Sequence, residues 1–147
     1  MGASSLRSAL AAGGTIYIAA GNYNVGAASV PDAVILPAGT VVQGGFPTTA
    51  TGTQTSGYNP VANVTRIDGQ DKMIMRILTG TYVIKGIVFD NAEGQGAGGP
   101  CIQASAGGQT YDWTIEDCTF KNTTGSGGGG GGGFFAGAHF CGAKNKN

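Results

Sequence analysis

The chain is built of short runs in which apolar and polar residues alternate, each ending in glycine, asparagine or aspartate. The clearest run, Tyr82-Val-Ile-Lys-Gly-Ile-Val-Phe-Asp-Asn91, recurs 31 residues later as Trp113-Thr-Ile-Glu-Asp-Cys-Thr-Phe-Lys-Asn122. Tyr82 and Ile84 alternate as one face of a strand, and Ile87 and Phe89 alternate with the phase shifted by one residue. A corner must absorb that shift. Gly86 and Asp117 occupy it, and both residue types tolerate the left-handed backbone that a sharp turn between two strands demands.

Two strands meeting at such a corner form one side of a coil. Stacking the coils at the ~4.8 Å spacing of paired strands places Phe89 against Phe120, Ile84 against Ile115 and Asn91 against Asn122, all expected to point inward. The same register sets Lys85 beside Glu116 and Asp90 beside Lys121 on the outer face. Thr15-Ile-Tyr-Ile18, Thr40-Val-Val-Gln43 and Thr65-Arg-Ile-Asp68, starting 25 residues apart, read as equivalent strands of earlier coils. Val34-Ile-Leu36, residues 73–78 and Cys101-Ile102 read as further short strands, and residues 47–60 as a loop projecting from the stack. Ser4 to Ala12 carries Leu6 and Leu10 on one face with Gly13 just beyond, which predicts a helix laid across the open first coil. The fold class predicted is all-β: a right-handed, single-stranded parallel β-helix with an N-terminal capping helix. It forms one domain over 1–147, with the cap at 4–12, the coils at 13–123 and a Gly-rich, truncated end at 124–147. An open last coil after Phe140 predicts self-association.

Composition narrows the function. Eight basic residues balance eight acidic ones, so no charged footprint for nucleic acid or an anionic membrane is present, and the apolar runs are too short to cross a bilayer. Gly13-Gly14 and Tyr17 interrupt any signal-peptide core near the start. Three cysteines, Cys101, Cys118 and Cys141, lack CxxC spacing, which leaves a single disulfide open and speaks against a zinc ribbon.

The segments Gly13-Gly-Thr-Ile-Tyr-Ile-Ala-Ala-Gly-Asn-Tyr23, Thr40-Val-Val-Gln-Gly-Gly-Phe46 and Asn63-Val-Thr-Arg-Ile-Asp-Gly69, with the two aligned repeats, resemble pectin-lyase-like parallel β-helix proteins. Cys118-Thr-Phe-Lys-Asn122 followed by Gly127–Gly133 is similar, more narrowly, to bacterial surface proteins related to polymorphic outer-membrane proteins. Gly14 stands where such proteins commonly carry Asp, and seven consecutive glycines exceed their usual run. The resemblance covers roughly residues 4–135 and implies the fold and an extracellular or bacterial cell-surface location, with little bearing on activity.

A polysaccharide lyase on such a fold needs carboxylates grouped around calcium and a basic residue to take a proton. The carboxylate candidates are Asp68 with Asp71, Asp90 with Glu93, and Asp112 with Glu116 and Asp117; the candidate bases are Arg66, Arg76, Lys85 and Lys121. Their spacing fits solvated turns and outward faces better than a site. His139 has no partner at a telling spacing, and Cys118, aligned with Ile87, reads as a buried inert thiol. Gly127–Gly133 lacks the Lys-Ser/Thr of a phosphate loop and reads as flexible loop. Asn63 and Asn122 lie in glycosylation sequons, and Tyr17, Tyr23 and Tyr58 are aromatic candidates for stacking on sugars. A threonine face for ice is unsupported, because Thr48, Thr49, Thr51, Thr53 and Thr55 share one loop.

The sequence thus predicts a non-catalytic surface solenoid, stalk or adhesin-like, with a polysaccharide or a surface protein as partner and no catalytic residue, cofactor or metal. The alternative is the N-terminal part of a polysaccharide lyase or glycoside hydrolase whose active site lies outside this segment.

Overall fold

The computed structural model describes residues 3–25, 33–49, 56–94, 101–104, 111–125, 133–134, 139–140 and 143–146. After helix α1 (Ala3–Ala12), strands succeed one another around a tube. The first coil is β1 (Thr15–Ala19), β2 (Gly21–Asn24) and β3 (Val34–Leu36), and the second β4 (Val41–Phe46), β5 (Thr65–Asp68) and β6 (Met75–Ile77). The third is β7 (Gly80–Lys85), β8 (Ile87–Gly94) and β9 (Ile102–Ala104), followed by β10 (Tyr111–Glu116) and β11 (Cys118–Gly125) of the fourth. Equivalent strands pair in parallel as β1-β4-β7-β10, β2-β5-β8-β11 and β3-β6-β9, the three sheets of a right-handed β-helix.

The predicted register holds residue for residue over the aligned repeats. Tyr82 pairs with Trp113, Ile84 with Ile115, Lys85 with Glu116, Phe89 with Phe120 and Asp90 with Lys121. Phe89 and Phe120 stack with ring centroids 5.1 Å apart and planes 11° from parallel. Gly86 and Asp117 take φ of 64° and 53°, so the corner residue carries the phase shift in both coils. The core is the tube interior, where Val42, Ile67, Ile77, Ile84, Ile87 and Phe89 are buried.

Leu6 and Leu10 are fully buried in that core, so α1 closes the first coil from above, and the Arg7 guanidinium donates to the Val25 carbonyl at 2.6 Å to hold it there. The corner of the second coil is polar. Thr65, buried in the wall, accepts the Gly45 N–H at 2.9 Å and donates to the Ala19 carbonyl at 3.2 Å, which leaves its hydroxyl satisfied.

Several expectations are corrected. The runs from Thr15 and Thr40 lie in the first sheet, but the run from Thr65 is β5 of the second sheet and pairs with β2 and β8. The even spacing arises because β4 and its long loop happen to span about as many residues as the whole first coil. Gly21-Asn22 and Gly44-Gly45 read in sequence as turns that end their strands, but the first opens β2 and the second lies within β4, where one extra residue bulges between the pairs Tyr17–Gln43 and Ala19–Phe46. Asn91 and Asn122 share the left-handed conformation, at φ 51° and 48°, but Asn122 is exposed and neither amide bonds the other. The last coil is also not left bare over the described residues, and the outer edges of the sheets pass to three further strands. β12 (Gly133–Phe134), β13 (His139–Phe140) and β14 (Ala143–Lys146) run antiparallel against β9, β11 and β10. An antiparallel partner needs only a chain reversal, whereas a parallel one needs a full crossover.

Removing one member of the aromatic stack opens a cavity in the buried interior of the tube. Phe89→Ala is expected to lower stability by about 3–5 kcal/mol, read as a reduced urea midpoint followed by far-ultraviolet circular dichroism.

Candidate functional site

The densest polar constellation lies on the outer face of the second sheet, where β5, β8 and β11 set Arg66, Asp68, Asp90, Lys121 and Asn122 side by side. Alternation puts Arg66, Asp68, Asp90 and Lys121 outward because Ile67, Phe89 and Phe120 face the core, and the left-handed backbone at Asn122 turns its side chain out beside them. Asp90 is the centre and is only 2% exposed. Its Oδ2 receives the Arg66 Nε at 2.7 Å and the Lys121 Nζ at 3.2 Å, and its Oδ1 accepts the Asn122 amide at 2.8 Å. Arg66 also reaches Asp68 at 3.0 Å, and Asp68 accepts the Asn91 amide at 3.3 Å and the Gln70 N–H at 2.9 Å.

Burial alone would raise the Asp90 pKa, but the hydrogen bonds from Arg66, Asn122 and Lys121 outweigh it and hold the carboxyl at about 2. Arg66 is pushed the other way, its proton held more tightly by the bond to Asp90. A general acid needs a carboxyl that keeps its proton near neutrality, and a general base needs a cation that releases one. This pair is tuned against both roles. A metal at Asp90 would have to displace two cations, and among the described residues no group of three His, Cys, Asp or Glu side chains is placed to hold one.

The other candidates are dispersed. Glu116 pairs with Lys85 on the first sheet, and Asp117 accepts the Tyr58 hydroxyl at 2.8 Å at the corner. Asp112 lies further along β10, Asp71 sits in the turn after β5 and Glu93 is exposed at the end of β8. Arg76 lies on the third sheet, away from the carboxylates, with its Nε shielded from solvent and unbonded. Cys101 and Cys118 are free and buried thiols, both pushed up to about 12, first by burial, which keeps them protonated and unreactive. The His139 side chain, Cys141 and Gly127–Gly132 lie outside the described residues.

Among the aromatic candidates, Tyr23 belongs to the core, with its hydroxyl donating to the Ala19 carbonyl at 3.0 Å. Tyr17 packs edge-on against Phe46, and Tyr58 lies tilted against the same ring. The 47–60 loop therefore does not simply project: its return segment is folded onto the corner, while residues 50–55, with Thr51, Thr53 and Thr55, lie outside the described residues. Asn63, in the first sequon, donates its amide to the Gly57 carbonyl at 3.0 Å, and its Thr65 is buried. What sequence reasoning misses here is that Arg66, offered as a base, and Asn122, read as inward, both bond Asp90. The signal was present as the outward alternation Arg66-x-Asp68, but it becomes legible only once β5 is placed beside β8.

No protein-family model, curated protein or solved structure matches this chain.

The folded pKa of Asp90 lies below its ordinary value near 4, so its stabilisation is complete above that value and fades as pH falls toward 2. Asp90→Asn is expected to cost about 2 kcal/mol at pH 7, with the gap to the parent protein closing between about pH 4 and pH 2 in paired urea titrations.

Proposed function

We propose that this chain is a non-catalytic β-helix of the extracellular space or cell surface, a stalk or adhesin-like element of the pectin-lyase-like type. The observation that carries the reading is the fate of the outward ionisable groups. Asp90 binds Arg66 and Lys121 between coils, Lys85 binds Glu116 likewise, and Asp68 holds Arg66 within its own strand and the Asn91 amide of the next coil, so the chemistry a lyase would turn on substrate is spent on holding the stack together. A rod held by such contacts is suited to presenting its loops at a distance.

A glycan partner has a specific support. Tyr17, Gln43, Lys85 and Glu116 follow one another across the half-exposed outer face of the first sheet, at strand spacings of about 4.8 Å. A ring to stack on and a polar file that stays half-exposed, the Lys85–Glu116 pair included, suit an extended polysaccharide.

The decisive measurement is turnover of polyuronates with and without calcium, followed as unsaturated product in the ultraviolet. None is expected. Calcium-dependent turnover by this chain would overturn the proposal and favour the carbohydrate-active enzyme.

A further inference from the structure

We propose that Tyr58 is a latch that ties the loop of the second coil to the fourth, so that coils two to four open as one unit instead of peeling away singly.

In a stacked solenoid each repeat touches its neighbours, and stability passes from one coil to the next. Tyr58 reaches further. It follows β4 of the second coil, lies over Gly86 of the third, and its hydroxyl donates to the Asp117 Oδ2 of the fourth at 2.8 Å. The path is cleared for it: a Cβ on Gly45 or on Gly86 would stand 3.0 Å from the Tyr58 Cε2. Two of the corner residues that turn the chain between sheets thus also make the bed for the ring.

The latch is anchored at its own end. The Asn59 N–H donates to the Gly45 carbonyl at 2.8 Å, and the Asn63 amide bonds the Gly45 and Gly57 carbonyls. The Asn59 side chain accepts the Val61 and Ala62 N–H groups, which closes the turn behind Tyr58. Ring contact with Phe46, centroids 5.8 Å apart, fixes its tilt. Asp117 holds a left-handed φ of 53° that costs a non-glycine residue free energy, and the bond from Tyr58 offsets that cost at this coil alone. Coupling of this kind is reciprocal: whatever steadies the loop steadies the fourth coil, by the same factor in each direction.

Amide hydrogen exchange on the full chain tests this, with Tyr58→Phe keeping the ring and removing the donor. The β10 and β11 amides are expected to exchange about tenfold faster, the size of one lost bond to a charged acceptor, with β1 and β2 unchanged. In an Asp117→Gly background, Tyr58→Phe is expected to add nothing at those amides. Unchanged β10 and β11 exchange, equal acceleration in every coil, or a Tyr58→Phe effect that persists without Asp117 would each overturn the latch.

Discussion

Everything in this structure depends on a change of phase at one corner. A strand that points every second residue inward cannot turn a corner and keep its apolar side inside unless one residue breaks the alternation. Gly86 and Asp117 do so by entering the left-handed region, and Gly45 does so within a bulged strand at the second coil. Once the corner is fixed, register is no longer free. A slip of one residue would turn Phe89 outward and Asp90 into the tube. The ring stack inside and the ion pairs outside are two readings of that single constraint.

That explains which parts of the fold are legible in the sequence. Tyr82–Asn91 and Trp113–Asn122 share the phase shift as well as residue types, and two features that must coincide leave little room for accident. The Thr15, Thr40 and Thr65 runs share only local alternation, which says that a strand exists and not which sheet it joins. A long loop between β4 and β5 offsets the count, so even spacing misleads. Tyr23, which points inward beside Ile67, is legible only once β2 is set against β5, and Asn122 is opaque for a different reason. Asn122 follows its strand's regular alternation but sits where the backbone becomes left-handed, and there parity no longer predicts direction. The antiparallel return of β12, β13 and β14 leaves no repeat in sequence to detect.

The outer face shows the same division. Lys85 with Glu116 and Lys121 with Asp90 follow from the aligned repeats, since cross-strand neighbours can be named once register is known. Arg66 could not be placed without assigning β5 to the second sheet, and without Arg66 the buried state of Asp90 has no explanation. Isolated surface ion pairs add little to stability, but a carboxylate withdrawn from water and bonded by three donors is a different case, because deleting a partner leaves a buried acceptor short of a donor. The network thus restrains the stacking of three coils at the level of single side chains.

Where function can reside follows from the same economy. The sheets are committed on both faces, inward to packing and along much of the outside to bonds between coils. The corners differ, because there the chain can leave the tube and return without disturbing register. The segment after β4 uses that freedom: it departs past Gly45, comes back through Tyr58 and rejoins at β5 with Thr65 sealed into the wall. Thr65 bonds the first coil inside the wall, while Tyr58 reaches the fourth outside it, so the roots of one excursion are fastened to coils on both sides of its own. Roots fastened in this way are held in position by the whole stack, which is what a rigid rod can supply and a flexible linker cannot.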